Sequence, residues 1–349
     1  MLEFTLLDGD FLLKINRQFV YPTEKLYFCI VKHTFEQNLK PRIMSTLPTI
    51  TSIYFDPTTD FGFKKLFGEE ANKDLLIDFL NGMLPNYHQI ASLTFQKTEQ
   101  LPNHEEERKA IFDILCQSST GERFIIEMQK AFIGHFMDRS LYYSTFPIQS
   151  QGVKGKWDFA LSKVYLIGIL DFDYDKNKGY WKKRQVLRTF NIADEKGVLM
   201  TNKLQFKFLQ LPFFKKKLRQ LTTHFDKWCY FLKNLENFDT IPNILNEPIF
   251  MKAFDIAKVS NLDPNDYILY QISKSKKYDM ELVEESAEKR GIEIGEIKKT
   301  TEVILTLNNK SYTSTQISDM LNMPLQEVEE IIKKNGKHKN IVKFDKKVI

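Results

Sequence analysis

The residues best suited to chemistry in this sequence are two acids, Asp113 and Glu127, which lie in one stretch of alternating apolar and polar side chains. Alternation of this kind, over Arg108–Ala131, is typical of half-buried β-strands. In its middle, Ser119-Thr120-Gly121 supplies a three-residue loop with glycine at the position that favours a left-handed backbone. The pattern therefore predicts a β-hairpin that carries one acid on each strand.

The loop length fixes which residues of this hairpin face each other. It pairs Ser118 with Glu122, and counting back from there sets Asp113 directly opposite Glu127. Gln129 projects from the same face, because side chains alternate along a strand. One face is thus expected to carry two carboxylates and an amide. The other face is expected to be apolar and to pack on a core through Phe112, Ile114, Phe124, Ile126 and Met128.

Two carboxylates that face each other suggest a divalent cation. Like charges opposite one another destabilise a sheet unless something neutralises them. Mg²⁺ or Mn²⁺ accepts carboxylate oxygens, a backbone carbonyl and several waters. The same spacing is compatible with two surface acids that are solvated separately, so spacing alone leaves both interpretations open.

The elements around the hairpin indicate the fold that positions it. Helical patterns precede it at Phe61–Phe67 and Asn72–Leu84, followed by a strand at Ile90–Gln96. A helix at Gly134–Gln151 and a continuously apolar strand at Val164–Leu170 come after it. The predicted architecture is an α/β fold with the core order α-β-β-β-α-β and a mixed central sheet.

This order, with Asp113 on the second strand and Glu127 on the third, resembles the PD-(D/E)XK nuclease fold. The upstream TDFGFKKLFG, the EMQ that follows the third strand's apolar residues and the downstream DRSLYYS are similar to the Rpn-type recombination-promoting nucleases, a transposase-related branch. The resemblance covers about Thr51–Tyr174. Gln129 stands where most members of the superfamily have lysine, which matches the Rpn branch and leaves the role of this third position open.

The resemblance implies a metal-dependent DNA endonuclease that hydrolyses phosphodiesters in recombination or mobile-element movement. In such an enzyme Asp113, Glu127 and the Met128 carbonyl would hold Mg²⁺ or Mn²⁺, and Gln129 would orient the attacking water. Two alternatives are a nucleic-acid-binding protein whose nuclease site has decayed and a helical interaction protein.

Four residues on the flanking helices are candidates for accessory roles. Asp60 could lend the ion a third carboxylate or cap its helix, and the cap is the simpler function. Lys64 could contact phosphate or be solvated. Arg139 could hold the scissile phosphate through its planar fork, next to Tyr143 one turn away, or pack over aromatic side chains.

The remaining chain divides by composition and period. Residues 1–43 lack a clear period and are interpreted as an extension ahead of a natural start, with a short β-hairpin as the alternative. The nuclease core is expected over 44–214 with additional strands, a helical region over 215–310, a helix-turn-helix-like hairpin over 311–335 and a basic tail over 336–349. The helical hairpin lacks basic residues on the early face of its second helix, which favours packing or a homo-oligomer over base reading.

Charge and cysteine content limit the possible binding partners and the cellular compartment of the protein. A net charge of +5 permits a DNA partner without requiring one. Three cysteines without CxxC spacing favour reduced residues of a cytoplasmic protein, and no apolar run is long enough to span a membrane. Basic residues that could follow a phosphate backbone, or form a solvated face, are concentrated in one region: Lys182, Lys183, Arg184, Arg188, Lys203, Lys207, Lys215, Lys216, Lys217 and Arg219.

Overall fold

We describe the chain from a computed structural model, which covers residues 3–7, 10–14, 50–100, 110–131, 135–174 and 185–342. Within these ranges, side chains are described from residue 50 to residue 335, with the exception of residues 100 and 110. The α-helices in these ranges are α1 Asp60–Phe67, α2 Lys73–Met83, α3 Phe136–Gln149, α4 His224–Asn234, α5 Pro248–Ala257, α6 Pro264–Asn309, α7 Ser314–Leu321 and α8 Leu325–Val342.

The strands form one central sheet and two small ones. Their bounds are β1 Glu3–Leu7, β2 Asp10–Lys14, β3 Leu93–Phe95, β4 Glu99–Gln100, β5 Ala110–Ile111, β6 Ile114–Ser118, β7 Arg123–Gln129, β8 Val164–Leu170, β9 Leu187–Ala193 and β10 Leu199–Gln210. The six-stranded sheet has the order β3-β6-β7-β8-β10-β9. Its β7–β8 and β8–β10 pairs are parallel and the others are antiparallel. The predicted mixed α/β architecture is confirmed, with α2, β3, β6, β7, α3 and β8 following in the predicted order.

The hairpin of β6 and β7 has the register that its loop predicts. Ser118 N–H donates to the Glu122 carbonyl over 2.9 Å, and Gly121 has a φ of 94°, which glycine adopts without strain. The paired residues run from Gln117 opposite Arg123 to Ile114 opposite Ile126. Continuing this register by one residue sets Asp113 opposite Glu127.

The predicted apolar face of the hairpin is wrong at Phe112. The chain bends at Asp113 and leaves β7, so that the Phe112 N–H donates to the Thr98 carbonyl over 3.0 Å and β5 pairs with β4. The Phe112 side chain consequently packs against Tyr143 and Phe146 of α3, on the opposite side of the sheet from Ile114. Strict alternation fails here because the bend rotates the backbone.

Both faces of the sheet are covered, which explains why β8 is apolar throughout. One face packs on α1, α2, α4 and α5 in a large cluster that includes Phe67, Phe79 and Trp228. The other face packs on α3 through Phe136 and Phe208. All seven residues of β8 are buried. The carboxylate face of the hairpin therefore lies under α3 rather than in open solvent.

Helix α1 begins where its sequence predicts and sits tightly on the preceding turn. The Thr59 side chain accepts from the Gly62 N–H over 3.0 Å, so Thr59 and not Asp60 is the cap. A Cβ atom on Gly62 would lie 2.2 Å from the Asp56 carbonyl oxygen, so this close approach requires glycine. The position of α1 matters because this helix carries Lys64 to the edge of the candidate site.

The C-terminal region is helical, and its elements are longer than expected. A single helix, α6, spans the second half of the helical region expected over 215–310. It leads into α7 and α8, which pack on it through Ile304, Ile317 and Val328. Helix α8 continues to Val342, so the expected tail boundary at 335 falls inside a helix. None of the helices in the described residues is long and apolar enough to cross a membrane.

At the amino terminus, β1 and β2 form a two-stranded antiparallel hairpin, as the alternative interpretation of residues 1–43 expected. The rest of that predicted extension lies outside the described residues, so its interpretation as an extension stays a prediction.

The predicted basic surface is reduced by burial and pairing. Arg188 and Lys207 are buried, and Lys207 Nζ donates to Thr189 over 3.2 Å. Lys216 is engaged with the buried Asp226 over 2.7 Å. Lys182, Lys183 and Arg184 lie outside the described residues. Arg188 lies on β9 and Lys207 on β10, and side chains of a strand point alternately to its two faces, so residues of both strands face the elements that cover the sheet.

Candidate active site

Two backbone hydrogen bonds hold Asp113 and Glu127 against each other at the end of β7. The Asp113 N–H donates to Glu127 Oε1 over 3.3 Å, and the Met128 N–H donates to Asp113 Oδ2 over 2.8 Å. The bend at Asp113 makes both bonds possible. In a regular ladder the Met128 N–H would donate to the carbonyl of Phe112, and here the Asp113 carboxylate takes the place of that carbonyl. The structure therefore brings together the two acids that the sequence singled out.

The same bend changes the environment of the Met128 carbonyl. Hydrogen-bonded pairs alternate along the β6–β7 ladder, with 118/122 as one such pair, so Phe112 would be the ladder partner of Met128. The Phe112 N–H donates to Thr98 instead. The Met128 carbonyl, which the resemblance implied as a third oxygen of the site, thus loses its expected ladder donor.

The electrostatics of the pair are those of two buried acids that the nearby cations, Lys64 and Arg139, neutralise only in part. Burial, and then the facing charge of Asp113, raise the pKa of Glu127 to about 8, against the lowering effects of the Asp113 N–H, Arg139 and Lys64. Burial also raises the pKa of Asp113, although the Met128 N–H and the Lys64 charge oppose this. Glu127 is 7% exposed, so water screens the repulsion poorly.

Gln129 lies between Glu127 and Arg139 and contacts both. Its Nε2 donates to Glu127 Oε2 over 3.2 Å, and its Oε1 accepts from Arg139 Nη2. This orientation of the amide is the one that satisfies both neighbours. A lysine here would face the guanidinium with a second positive charge, so the amide suits this position.

Arg139 and Tyr143 lie on the face of α3 that covers the pair. The guanidinium of Arg139 lies 5.9 Å from the ring centroids of both Phe136 and Tyr143. Tyr143 also contacts the Phe112 ring edge-on. Arg139 therefore packs over aromatic rings, as one of the two alternatives expected, and its guanidinium also donates to Gln129. Its contact with a phosphate stays a prediction.

Lys64 is the cation nearest to Asp113 among the described residues. Its Nζ lies 2.6 Å from Asp60 Oδ1 and 3.6 Å from Asp113 Oδ1. Burial alone would lower the pKa of Lys64, but the hydrogen bond to Asp60 and the charge of Asp113 raise it above its ordinary value. Asp60 pairs with Lys64, and its own charge also helps to raise the pKa of Asp113. A groove of about 550 Å³ between α1 and α6 opens beside these two residues.

The donor set fits a divalent cation with two protein carboxylates. Mg²⁺ is commonly held by one or two carboxylates and keeps several waters. Asp113, Glu127 and the Met128 carbonyl would provide such a set. Burial and the facing charge of Asp113 raise the pKa of Glu127, so a cation bound here would relieve the repulsion between two buried acids. Among the described residues, no group of three or more His, Cys, Asp and Glu side chains could share one ion, so Asp60 does not complete a three-acid cluster.

A second charged cluster, which the sequence did not indicate, lies on the other side of the sheet end. Lys130 and Asp171, the residues that follow β7 and β8, form an ion pair, and Lys277 of α6 pairs with the buried Asp56. Thr58 joins them, because it accepts from both lysines over 3.1 Å and donates to Asp56 over 2.7 Å. This cluster attaches α6 to the sheet. The paired residues are far apart in the sequence, so local sequence patterns could not predict the cluster.

Comparison with protein families gives one match. A family model described as PD-(D/E)XK nuclease family transposase matches residues 57–287. The chain belongs to this family. The match confirms the resemblance and the fold class, and it contains every strand of the six-stranded sheet and both acids of the pair. No curated protein and no solved structure gives a significant match to the chain.

Membership in the PD-(D/E)XK nuclease family supports a nuclease or transposase-like activity. Every candidate site residue, from Asp60 to Tyr143, lies inside the matched range. The match ends within α6, so the second half of that helix, α7 and α8 lie beyond the family model.

Proposed function

We propose that this protein is a divalent-metal-dependent DNA endonuclease that hydrolyses phosphodiester bonds. The proposal rests on two hydrogen bonds, from the Asp113 N–H to Glu127 and from the Met128 N–H to Asp113. They lie at a strand end where the Met128 carbonyl has lost its ladder donor. Family membership supports a nuclease, and oxygens of Asp113, Glu127 and the Met128 carbonyl are ligands that would suit one divalent ion. A bound Mg²⁺ or Mn²⁺ ion supplies Lewis-acid stabilisation of the scissile phosphate and acidifies water.

The protein's own residues then have distinct roles. Asp113 and Glu127 bind the cation in their ionised forms, so Glu127 releases its proton on binding. Gln129 is a positioning residue, because its amide hydrogen-bonds Glu127 and Arg139 and fixes the carboxylate's orientation. These two hydrogen bonds support a positioning role for Gln129 in place of the water-orienting role that the resemblance implied.

Lys64 supplies the positive charge that Gln129 cannot. Its Nζ is 3.6 Å from Asp113, and its side chain is 41% exposed, so it can also reach a phosphate oxygen. Arg139 lies on the other side of the pair, where its remaining guanidinium donors suit a phosphate. The attacked phosphate would thus lie between α1 and α3, over the end of β7.

The biological setting is proposed on narrower grounds. The family description names transposases, which supports a role in DNA recombination or the movement of mobile elements. A cytoplasmic location is supported by the two cysteines in the described residues, Cys116 and Cys229, which are both buried as free thiols.

The experiment is cleavage of supercoiled plasmid by the purified protein with Mg²⁺, with Mn²⁺ and with a chelator. Nicked or linear product that depends on the metal supports the proposal. Parallel reactions on single-stranded DNA and on RNA define the substrate. Metal-independent cleavage, or no cleavage of any of these substrates with either ion, would contradict it.

A further inference from the structure

The middle of helix α6, residues 278–299, joins two packed parts of the molecule. We call this exposed segment the arm. Every residue from Tyr278 to Lys299 is exposed. Before it, Ile268 and Tyr270 are buried against the body, and after it Ile304 is buried against α7 and α8. The exposed part is about 33 Å long at the rise of an α-helix. A helix that bridges solvent is normally polar all round, and this one is not.

One face of this arm has the spacing of a coiled-coil seam. Three- and four-residue steps alternate along it, which is the heptad pattern by which two helices pack. Its apolar members are strongly exposed, at 66% for Val283, 65% for Ile294 and 60% for Ile297. The complete seam is Met280, Val283, Ala287, Arg290, Ile294 and Ile297.

The distribution of charge along the arm favours an antiparallel partner with the same sequence. Residues 279–288 carry five acids and no base, whereas 289–299 carry four bases and two acids. A second copy in the antiparallel direction would align the acidic half of one arm with the basic half of the other. A parallel copy would place acids against acids and one Arg290 against the other, which costs free energy.

The seam residues also match each other in the antiparallel direction. If the two-fold axis of the dimer passes midway between Ala287 and Arg290, each seam residue lies opposite a seam residue of the second copy. Antiparallel helices pack in this way. Alanine then faces arginine, and this leaves room for the long side chain to extend to solvent. The three pairs are Met280 with Ile297, Val283 with Ile294 and Ala287 with Arg290.

We propose that the exposed arm of α6 binds a second copy of this chain as an antiparallel coiled coil, centred between Ala287 and Arg290. This interface lies apart from Asp113 and Glu127, so the dimer can hold two nuclease sites. It assigns an occupant to the seam and a direction to the homo-oligomer expected from the C-terminal helices. It stands independently of the nuclease function.

The first experiment compares two isoleucines of the arm that differ only in face. Ile294 belongs to the seam, and Ile292, which is 56% exposed, lies on the opposite side of the helix. Ile294→Glu should weaken dimerisation roughly a hundredfold or more in sedimentation equilibrium, because each dimer loses two buried isoleucines. Ile292→Glu adds the same charge and should leave it unchanged. A wild-type monomer, or equal effects of the two substitutions, would overturn the proposal.

The second experiment determines the direction of the helices by cysteine crosslinking of the full chain in a Cys29→Ser background, since Cys116 and Cys229 are buried. A mixture of Met280→Cys and Ile297→Cys proteins should form a disulfide-linked dimer on mild oxidation. Met280→Cys alone should not, because two copies of residue 280 lie at opposite ends. Crosslinking of Met280→Cys with itself would show a parallel pair and overturn the proposal.

Discussion

The Asp113 N–H donates to Glu127 Oε1 over 3.3 Å, and so a backbone hydrogen bond joins the two acids of the site before any cation binds. The Asp113 carboxylate is held in turn by the Met128 N–H. This arrangement fixes the distance between two groups whose charges repel. The site is therefore preorganised for a cation, and its protonation state decides when the cation can bind.

Metal affinity is expected to depend on pH through Glu127. The carboxyl must lose its proton to bind a cation, and its pKa is about 8. Calorimetric titration with Mn²⁺ should show an affinity that rises about tenfold per pH unit below pH 8 and levels off above it. A flat profile from about pH 6 to pH 9 would contradict this.

The raised pKa of Glu127 should also make the stability of the metal-free protein depend on pH. The folded protein holds the Glu127 proton more tightly than the unfolded chain, where the ordinary value is 4.5. This contribution to stability is complete below about pH 4.5 and is lost as the pH rises through 8. Glu127→Gln should remove this dependence, so that the variant is more stable than the wild type at about pH 9, by roughly 2 kcal/mol in urea unfolding.

Lys64 and its neighbour Lys65 make a matched pair for the cationic role. Lys65 contacts Glu69 and Asp266 at 2.9 and 2.8 Å, whereas Lys64 contacts Asp113. Lys64→Met should lower kcat/KM by about tenfold or more, on the scale of a lost transition-state donor, and Lys65→Met should not. Lys64→Met should also raise the pKa of Asp113, which an NMR titration of that carboxyl measures. Equal losses in both variants would indicate a general effect of charge.

Gln129→Lys is expected to impair the enzyme although it restores the residue typical of the superfamily. It removes the acceptor of Arg139 and places an ammonium group against the guanidinium. Arg139→Gln alone should also lower activity, but the double variant should lose less than the two single losses together, with an interaction of about 1 kcal/mol or more. Plasmid cleavage by the two single variants and the double variant measures this. Full activity of Gln129→Lys alone would show that the contact with Arg139 is dispensable.

The cluster around Asp56 is expected to be a main support of α6. Burial raises its pKa, but Lys277 and the hydrogen bond from Thr58 outweigh this and keep it below the ordinary value. Asp56→Asn should destabilise the protein by about 3 kcal/mol, because it leaves Lys277 without its charge partner. Chemical unfolding measures the loss. The exposed Asp255, substituted in the same way, serves as the control and should show no change.

Local patterns in the sequence predicted the register of the hairpin and the boundaries of the central strand β8. They did so because loop length and side-chain period determine pairing within one hairpin. The face of Phe112 was predicted wrongly, since a bend at Asp113 is a tertiary feature that depends on β4 and α3. That same bend creates the candidate site, so the local rule fails at the residue where the chemistry lies.

Contacts between distant segments were beyond the reach of the sequence. Asp56 and Lys277 are brought together only when α6 packs on the turn before α1. The basic residues Arg188 and Lys207 suggested a surface for DNA, and they are buried because alternate residues of β9 and β10 face the sheet's cover. Gln129 was assigned correctly to the face of Glu127, but its contact with Arg139 required the position of α3.

Cleavage of supercoiled plasmid by the two carboxylate variants tests the central claim most directly. Asp113→Asn and Glu127→Gln preserve shape, and each removes one of two charges that hold a single ion. We predict that each abolishes Mg²⁺-dependent cleavage, and that the double variant is no worse than either, because residues that act as a unit are not additive. The exposed Asp138 of α3, substituted to Asn, should leave cleavage unchanged. Full activity of either carboxylate variant, under chelator-controlled conditions, would contradict the account.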